Sequence, residues 1–240
     1  MLPLAIENLT VRIFADGAEL PVMLDMYKKP WIKGFTTNPT LMRKAGIRDY
    51  AAFAREVLRA IRDRPISFEV FSDDFPEMER QARVIAGWGS NVFVKIPVSN
   101  TKGEPAYDLI RRLSHDGLQI NVTAVMTLEQ VTAVSDALAG GAASNISVFA
   151  GRIADTGRDP LPLMSAARRI MERAPRSELI WASPRELLNI FHADSIGCHI
   201  ITVTRDILNK LETVGKPLDQ YSLETVAMFH EDAVSAGYVI

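Results

Sequence analysis

The sequence predicts an α/β fold, namely a single (β/α)8 TIM barrel with an additional C-terminal helix. Eight short apolar runs alternate with longer amphipathic stretches, and 240 residues allow about 30 residues for each βα unit. An open doubly wound sheet is the alternative, but no run precedes a G-x-G-x-x-G or Walker loop. We therefore expect one domain over residues 1–240, with a helical tail over about residues 221–240.

The predicted strands are rich in β-branched or aromatic side chains. Several are apolar on both faces, which is typical of parallel strands that are covered on both sides. The crossovers between them are right-handed if the helices pack back onto the sheet. The eight strands span Val11–Ala15, Trp31–Thr37, Ile66–Phe71, Val92–Val98, Gln119–Met126, Asn145–Ala150, Glu178–Ala182 and His199–Thr204.

The stretches between the strands show the 3.6-residue apolar periodicity of amphipathic helices. Several begin with proline in the first turn, where its missing N–H group is tolerated. The last helix of the series follows the eighth βα unit, so the barrel itself does not need it. We predict helices at Tyr50–Asp63, Pro76–Gly87, Pro105–His115, Leu128–Leu138, Pro160–Arg173, Pro184–Phe191, Arg205–Val214 and Leu223–Ala236.

The composition excludes several classes of protein. Lysine and arginine number 27 against 29 aspartates and glutamates, so a basic surface for nucleic acid is not expected. The single Cys198 argues against intrachain disulfides and thiolate-rich metal sites. No apolar run reaches the ~18 residues of a membrane span, and the N-terminus lacks a signal-peptide pattern. We expect a cytoplasmic globular protein without a metal, a membrane or a nucleic-acid partner.

Polar residues at the C-terminal ends of barrel strands are the candidates for chemistry, because active sites of this fold lie at that face. The strongest candidate is Lys95, which is flanked by strand residues within Val92–Val98. Lysine is almost never buried without a partner or a purpose. A buried lysine can add to a carbonyl as a free amine, but an ion-paired or snorkelling side chain is the alternative.

Two carboxylates lie at comparable positions. Asp16 ends the first strand, and Glu69 interrupts the otherwise apolar third strand. A carboxylate near a buried amine could shuttle protons. Asp16 could equally be a turn or helix-cap residue, since aspartate is favoured there for local reasons.

The remaining strands end in neutral polar side chains and in two arginines. Asn38 or Thr37 is a plausible cap for the helix that begins at Pro39, and Asn121 and Thr123 share one face of the fifth strand. Two arginines, with serines nearby, follow the sixth and seventh strands at Arg152 and Arg185. Guanidinium groups match phosphate oxygens bidentately, although either arginine alone could be a solvated surface residue.

These residues together resemble the transaldolase family, in its small-subunit branch, which also contains fructose-6-phosphate aldolases. Gly34–Met42 is similar to the family signature G-x-T-[ST]-N-P-[ST], and Val94–Pro97 is similar to the segment with the Schiff-base lysine. Further similar blocks follow in the family's order at Asn121–Thr123, Phe149–Ile153, Ala182–Arg185 and Ile201–Thr204.

The resemblance implies class I aldol chemistry without a metal or other cofactor. It implies that Lys95 forms an imine with a ketose, that Asp16 is the acid/base at the C4 hydroxyl, and that Glu69 acts through a water held with Thr123. It further implies a pentose-phosphate type of carbohydrate metabolism. The implied substrate-binding residues, with the phosphate held by the last three, are Thr36, Asn38, Asn121, Ser147, Phe149, Arg152, Ser183 and Arg185.

Two positions bear on the branch of the family. The aldolases tend to carry glutamine at the position of Glu69 and tyrosine at the position of Phe149, so transfer of a dihydroxyacetone unit is favoured over cleavage. A non-catalytic barrel that binds sugar phosphates is a further alternative. Gly17, Val148 and Pro184 differ from the residues that are usual in the family. The identities of the donor and acceptor sugars therefore stay open. By analogy with small relatives, we expect a homo-oligomer, specifically a decamer.

Overall fold

The computed structural model describes residues 4–240, which contain a closed barrel of eight parallel strands in sequence order. The last strand closes the barrel by pairing with the first, with Ile201 opposite Ile13. Each predicted strand is present within two residues of its predicted bounds, so the TIM barrel is confirmed. The strands are β1 Arg12–Asp16, β2 Ile32–Thr36, β3 Ile66–Glu69, β4 Val92–Pro97, β5 Ile120–Val125, β6 Ser144–Val148, β7 Ser177–Trp181 and β8 Ile200–Thr204.

Helices follow the strands and form the outer layer. Two short 3-10 turns, Met171–Arg173 and Asn209–Thr213, extend the ends of two of them. The α-helices are α1 Leu4–Glu7, α2 Leu20–Tyr27, α3 Pro39–Lys44, α4 Tyr50–Ala60, α5 Phe75–Ala86, α6 Tyr107–His115, α7 Leu128–Leu138, α8 Ala150–Ala154, α9 Leu161–Ile170, α10 Leu188–Ser195, α11 Arg205–Leu208 and α12 Leu218–Ser235.

Two predicted helix starts are wrong because proline begins a turn there rather than a helix. Pro105 forms an antiparallel bridge with Ser99, and the helix begins only at Tyr107. After Pro184, the side chain of Asn189 accepts hydrogen bonds from the amides of Arg185 and Glu186, at 2.8 and 3.2 Å. These bonds hold a turn in place, and α10 begins at Leu188.

Other helix ends also differ from their predicted positions. α4 stops at Ala60 because Ile61 takes an extended conformation, with φ −117° and ψ 95°. The C-terminal helix begins at Leu218, five residues earlier than predicted, directly after Pro217. The predicted extra helix is therefore present and is longer than expected.

The apolar core has two layers, one between strands and helices and one inside the barrel. The inner layer consists of Phe14, Ile180, Ala182 and Ile200, with Phe149 packed against it. Gly34 makes room for this layer, because a Cβ atom at that position would lie 2.5 Å from the ring of Phe14. This packing fills the middle of the barrel and leaves the polar residues at its C-terminal end.

Helix α12 differs from the other long helices because none of its residues is buried. Its apolar side chains face solvent, including Phe229 at 62% exposure. Over residues 4–240, none of the helices is long and apolar enough to cross a membrane.

Candidate active site

Lys95, whose side chain points to the C-terminal end of the barrel, is 6% exposed. Its amine lies 3.1 Å from Oε2 of Glu69 and donates a hydrogen bond to the backbone carbonyl of Thr37 at 2.9 Å. Glu69 stands opposite Lys95 in the β3–β4 register, so two neighbouring strands fix this pair. Lys95 is thus both buried and ion-paired, and the partner is a carboxylate that can exchange protons with it.

Asp16 lies at the end of β1 and faces the same region. Its carboxylate accepts a hydrogen bond from the hydroxyl of Thr36 at 2.8 Å. Burial raises the pKa of Asp16 above its usual value, while the positive charge of Lys95 opposes that shift. The alternative interpretation of Asp16 as the cap of the following helix is wrong, because α2 begins after Glu19.

Asn38 has a structural and a site-facing contact at once. Its Oδ1 accepts a hydrogen bond from the amide of Leu41 at 2.9 Å and so caps α3. Its Nδ2 reaches Oδ2 of Asp16 at 3.5 Å. The cap fixes the side chain of Asn38, and its amide nitrogen points toward the carboxylate of Asp16.

A buried hydrogen-bonded chain joins β3, β5 and β6 beside Lys95. The hydroxyl of Ser147 donates to Oδ1 of Asn121 at 2.7 Å, and Nδ2 of Asn121 donates to the hydroxyl of Ser67 at 3.0 Å. Asn121 stands opposite Lys95 in the β4–β5 register. The chain therefore orients the amide of Asn121 at the level of the amine.

Thr123 has a buried hydroxyl that makes no hydrogen bond with another residue of the range 4–240. The strand register breaks beside it, and Ala124 adopts a left-handed backbone with φ 62°. Buried hydroxyl groups are almost always paired with protein or water, so the hydroxyl of Thr123 is able to bind a water or a substrate atom.

The two candidate phosphate ligands differ in their surroundings. Arg185 is held by Asp155 through a two-pronged ion pair, with Nε 2.9 Å from Oδ1. Arg152 lies over the ring of Phe149, 5.9 Å from its centre. In the described chain no carboxylate lies within 4 Å of Arg152, so its guanidinium is the one available to an anion.

The loops that carry these arginines approach very closely. A Cβ atom on Gly151 would lie 1.6 Å from the carbonyl oxygen of Ser183. Ser183 itself has a left-handed backbone, with φ 59°. Glycine at position 151 is what allows the ends of β6 and β7 to bring Arg152 and Ser183 to one side of the barrel mouth.

Five further residues contact the site residues, and the sequence did not predict them as part of the site. Their signal was weak because each acts through contacts between elements far apart in sequence. Thr202, for example, contacts the hydroxyl of Thr36 across the β8–β1–β2 edge. The five are Thr37, Tyr50, Ser67, Asp155 and Thr202.

Comparison with known proteins adds the evolutionary relation. The sequence model described as Transaldolase/Fructose-6-phosphate aldolase matches residues 13–238. The chain belongs to this transaldolase/fructose-6-phosphate aldolase family. The predicted resemblance is thereby confirmed.

Two bacterial members of the family illustrate the similarity. A probable transaldolase from Dehalococcoides mccartyi is 34% identical over 84% of this chain and 90% of its own length. A probable transaldolase from a Thermoanaerobacter species is 34% identical over 96% of this chain and its whole length. This transaldolase/fructose-6-phosphate aldolase family member therefore aligns with both relatives over most of its length.

A more distant solved structure shows the fold. A dihydrodipicolinate synthase from Rhodopseudomonas palustris superposes with a TM-score of 0.60 over 97% of this chain and 82% of the other. Its sequence identity is 15%, so the likeness supports the barrel architecture alone.

Proposed function

We propose that this chain is an enzyme that transfers a dihydroxyacetone unit from a ketose phosphate to an aldose phosphate through a Schiff base on Lys95. The observation that carries the proposal is the buried amine of Lys95 held 3.1 Å from the carboxylate of Glu69. A sugar-binding barrel without catalysis has no need of this pair. Membership of the family supports the reaction type.

The proposed first half-reaction cleaves the ketose. The amine of Lys95 attacks the C2 carbonyl, and loss of water gives an iminium ion. The carboxylate of Asp16 takes the proton of the C4 hydroxyl, the C3–C4 bond breaks, and its electron pair moves to the iminium nitrogen. The aldose phosphate leaves, and a dihydroxyacetone enamine stays on Lys95.

The second half-reaction runs in the opposite sense. Carbon C3 of the enamine attacks the aldehyde carbon of an acceptor, and Asp16 returns its proton to the new hydroxyl. Water then hydrolyses the iminium ion and frees the product. Glu69 accepts and returns the protons that move during imine formation and hydrolysis. The buried hydroxyl of Thr123 is suited to bind the hydrolytic water.

Two further groups of side chains support the proposal. The amides of Asn38 and Asn121 and the hydroxyl of Ser147 face the level of Lys95, where the hydroxyls of dihydroxyacetone would lie. Arg152 lies over the ring of Phe149 after β6, and the neighbouring Gly151 packs against the backbone of Ser183. An anionic phosphate therefore fits the end of the site opposite the dihydroxyacetone unit.

Aldol cleavage without transfer is the second candidate, because the family model covers both activities. Phe149 packs its ring against the inner apolar layer and carries no hydroxyl that could position water at the enamine. That environment favours transfer. The test is a coupled assay of fructose 6-phosphate with and without erythrose 4-phosphate. Release of free dihydroxyacetone at full rate without the acceptor contradicts transfer.

Replacement of Arg152 by alanine is expected to raise KM for phosphorylated substrates by about 10- to 100-fold, with a smaller effect on kcat. The reason is the loss of a charge-assisted bond to phosphate. Arg185→Ala should have a smaller effect, since Asp155 already binds the guanidinium group of Arg185. Steady-state kinetics measure both, and Arg55→Ala on the exposed face of α4 is the control. An unchanged KM in Arg152→Ala removes this residue from the phosphate site.

We further propose that the chain forms a homo-oligomer through α12, and that the decamer is its form. This helix exposes several large apolar side chains to solvent, and contiguous exposed apolar surface is typical of an interface. We therefore expect a second copy of the chain to cover them. Phe229→Glu is expected to lower the molar mass measured by light scattering. His230→Glu, at the neighbouring exposed position, should leave it unchanged. A wild-type mass of one chain contradicts the proposal.

A further inference from the structure

The ladder between β2 and β3 ends one rung earlier than its register allows. The amide of Phe35 donates to the carbonyl of Pro65 at 2.9 Å, and the amide of Thr37 donates to the carbonyl of Ser67 at 3.2 Å. In a parallel ladder, the next rung would run from the amide of Glu69 to the carbonyl of Thr37. The amide of Glu69 instead donates to the hydroxyl oxygen of Tyr50, at 2.7 Å.

The carbonyl of Thr37 is thereby left for another donor. That donor is the amine of Lys95, at 2.9 Å. The hydroxyl of Tyr50 completes its own pairing by donating to the carbonyl of Glu69 at 3.1 Å. The hydroxyl of Tyr50 thus forms hydrogen bonds with both the amide and the carbonyl of Glu69, beyond the point where β2 ends.

We propose that Tyr50 is a positioning residue of the active site, because its hydroxyl takes the amide of Glu69 and so reserves the carbonyl of Thr37 for Lys95. The proposal rests on the proposed function in one respect, namely that Lys95 is the nucleophile. Tyr50 acts through Glu69 and Thr37 and does not itself reach the amine.

The surroundings of Tyr50 hold its hydroxyl in place. Asp49 caps α4 by accepting the amide of Ala52 at 2.9 Å, which fixes Tyr50 as the first helical residue. The ring of Tyr50 makes an edge contact with Phe71 at 4.4 Å and a tilted contact with Trp88 at 5.7 Å between ring centres. Burial raises the pKa of Tyr50, so the hydroxyl stays protonated and can donate and accept at neutral pH.

Loss of the hydroxyl has a specific consequence for the amine. Without it, the amide of Glu69 loses its partner, and the acceptor that the parallel register offers it is the carbonyl of Thr37. The carbonyl of Thr37 then accepts from both the amide of Glu69 and the amine of Lys95, which weakens and redirects its bond to the amine, and the carboxylate of Glu69 moves with its backbone. Both groups that hold the amine are affected by one missing atom.

Tyr50→Phe tests the proposal, because it keeps the ring contacts and removes only the hydroxyl. The probe is dihydroxyacetone with cyanoborohydride, which reduces the imine to a stable secondary amine on Lys95. Peptide mass spectrometry follows the rate of this modification. We expect it to fall about tenfold, and kcat for transfer to fall at least as much, with less than a twofold change in KM for the ketose phosphate.

Tyr27→Phe is the matched control. Its hydroxyl donates to Asp63 at 2.7 Å on the exposed side of the protein, so the chemical change is the same and the site is not involved. This variant should match the wild type in both rates. Thermal unfolding of both variants separates an effect on stability from an effect on the amine.

Two results separate the proposal from the proposed function. Unchanged modification of Lys95 and unchanged kcat in Tyr50→Phe, with a lowered Tm, show that the hydroxyl only supports the strand end, and this overturns the proposal. A wild-type protein that traps dihydroxyacetone on Lys95 but transfers nothing contradicts the proposed function. In that case the ratio of the two trapping rates still decides the role of Tyr50.

Discussion

Replacement of Lys95 by methionine is expected to lower the rate of transfer by about 10⁴-fold or more, the range typical for removal of a covalent nucleophile. Methionine keeps most of the side-chain length in a position that is 6% exposed, so the barrel should still fold. Borohydride reduction with fructose 6-phosphate measures the same group directly. The wild type should gain a covalent adduct on Lys95, and the variant should gain none there.

Lys33→Met is the matched control for this substitution. The amine of Lys33 also donates to a backbone carbonyl, that of Pro30, at 2.8 Å. Lys33 is exposed and lies near the start of β2, at the end of the barrel away from Glu69. Its loss should leave activity and adduct formation intact. An active Lys95→Met variant, or a wild type with no adduct on Lys95, contradicts the Schiff-base mechanism and favours a barrel that only binds sugar phosphates.

Replacement of Asp16 by asparagine is expected to lower kcat by about 10²- to 10⁴-fold, because an amide cannot take the C4 proton. In the proposed cleavage step, the carboxylate is the active form. Since burial raises the pKa of Asp16, the acidic limb of the kcat profile should lie above pH 3.8, the ordinary value for aspartate. A pH–rate profile of the wild type measures this limb, and its absence in a variant with residual activity identifies Asp16 as its source.

The same substitution should stabilise the fold at neutral pH. A group whose pKa is raised in the native state favours folding in its protonated form, so its ionisation lowers the free energy of unfolding. The cost begins as the pH rises above 3.8 and is complete once the pH exceeds the raised native pKa. Asp16→Asn should therefore have a higher Tm than the wild type at pH 7 and an equal Tm near pH 3.

Asp108→Asn provides the control for both measurements. The carboxylate of Asp108 is exposed on α6, where it lies 3.4 Å from Arg111. This variant should keep full activity and show little change in Tm at either pH, as exposed ion pairs contribute little. A destabilised Asp16→Asn variant at pH 7 shows that the carboxylate is satisfied by its neighbours, and this contradicts a poised acid/base group.

The strands could be predicted because their signal is local. Runs such as Val92–Val98 are apolar on both faces, and burial on both faces is what a covered parallel strand requires. The same logic singles out Lys95 and Glu69, since charged side chains inside such runs need a partner. Their pairing follows from strand order, because neighbouring parallel strands end at one edge. The structure places them opposite each other.

The helix starts were harder to predict because proline is compatible with both a first helical turn and a tight turn. At Pro184 the decision came from Asn189, whose side chain holds two amides of the preceding turn. Arg185 presents the same difficulty. Its spacing suits a phosphate, but its partner Asp155 lies at the C-terminal end of α8, which follows the neighbouring strand β6. Neither contact leaves a periodic trace in the sequence.

By itself, the sequence determined the barrel, the strand that carries each polar residue and the family to which the chain belongs. Those properties depend on side-chain pattern and on short motifs, which survive without coordinates. Only the tertiary structure decided which carbonyl holds the amine of Lys95 and why that carbonyl is free. The reason is physical: a hydrogen-bond rung is allocated between Glu69, Thr37 and Tyr50, which meet only when β3 and α4 have packed together.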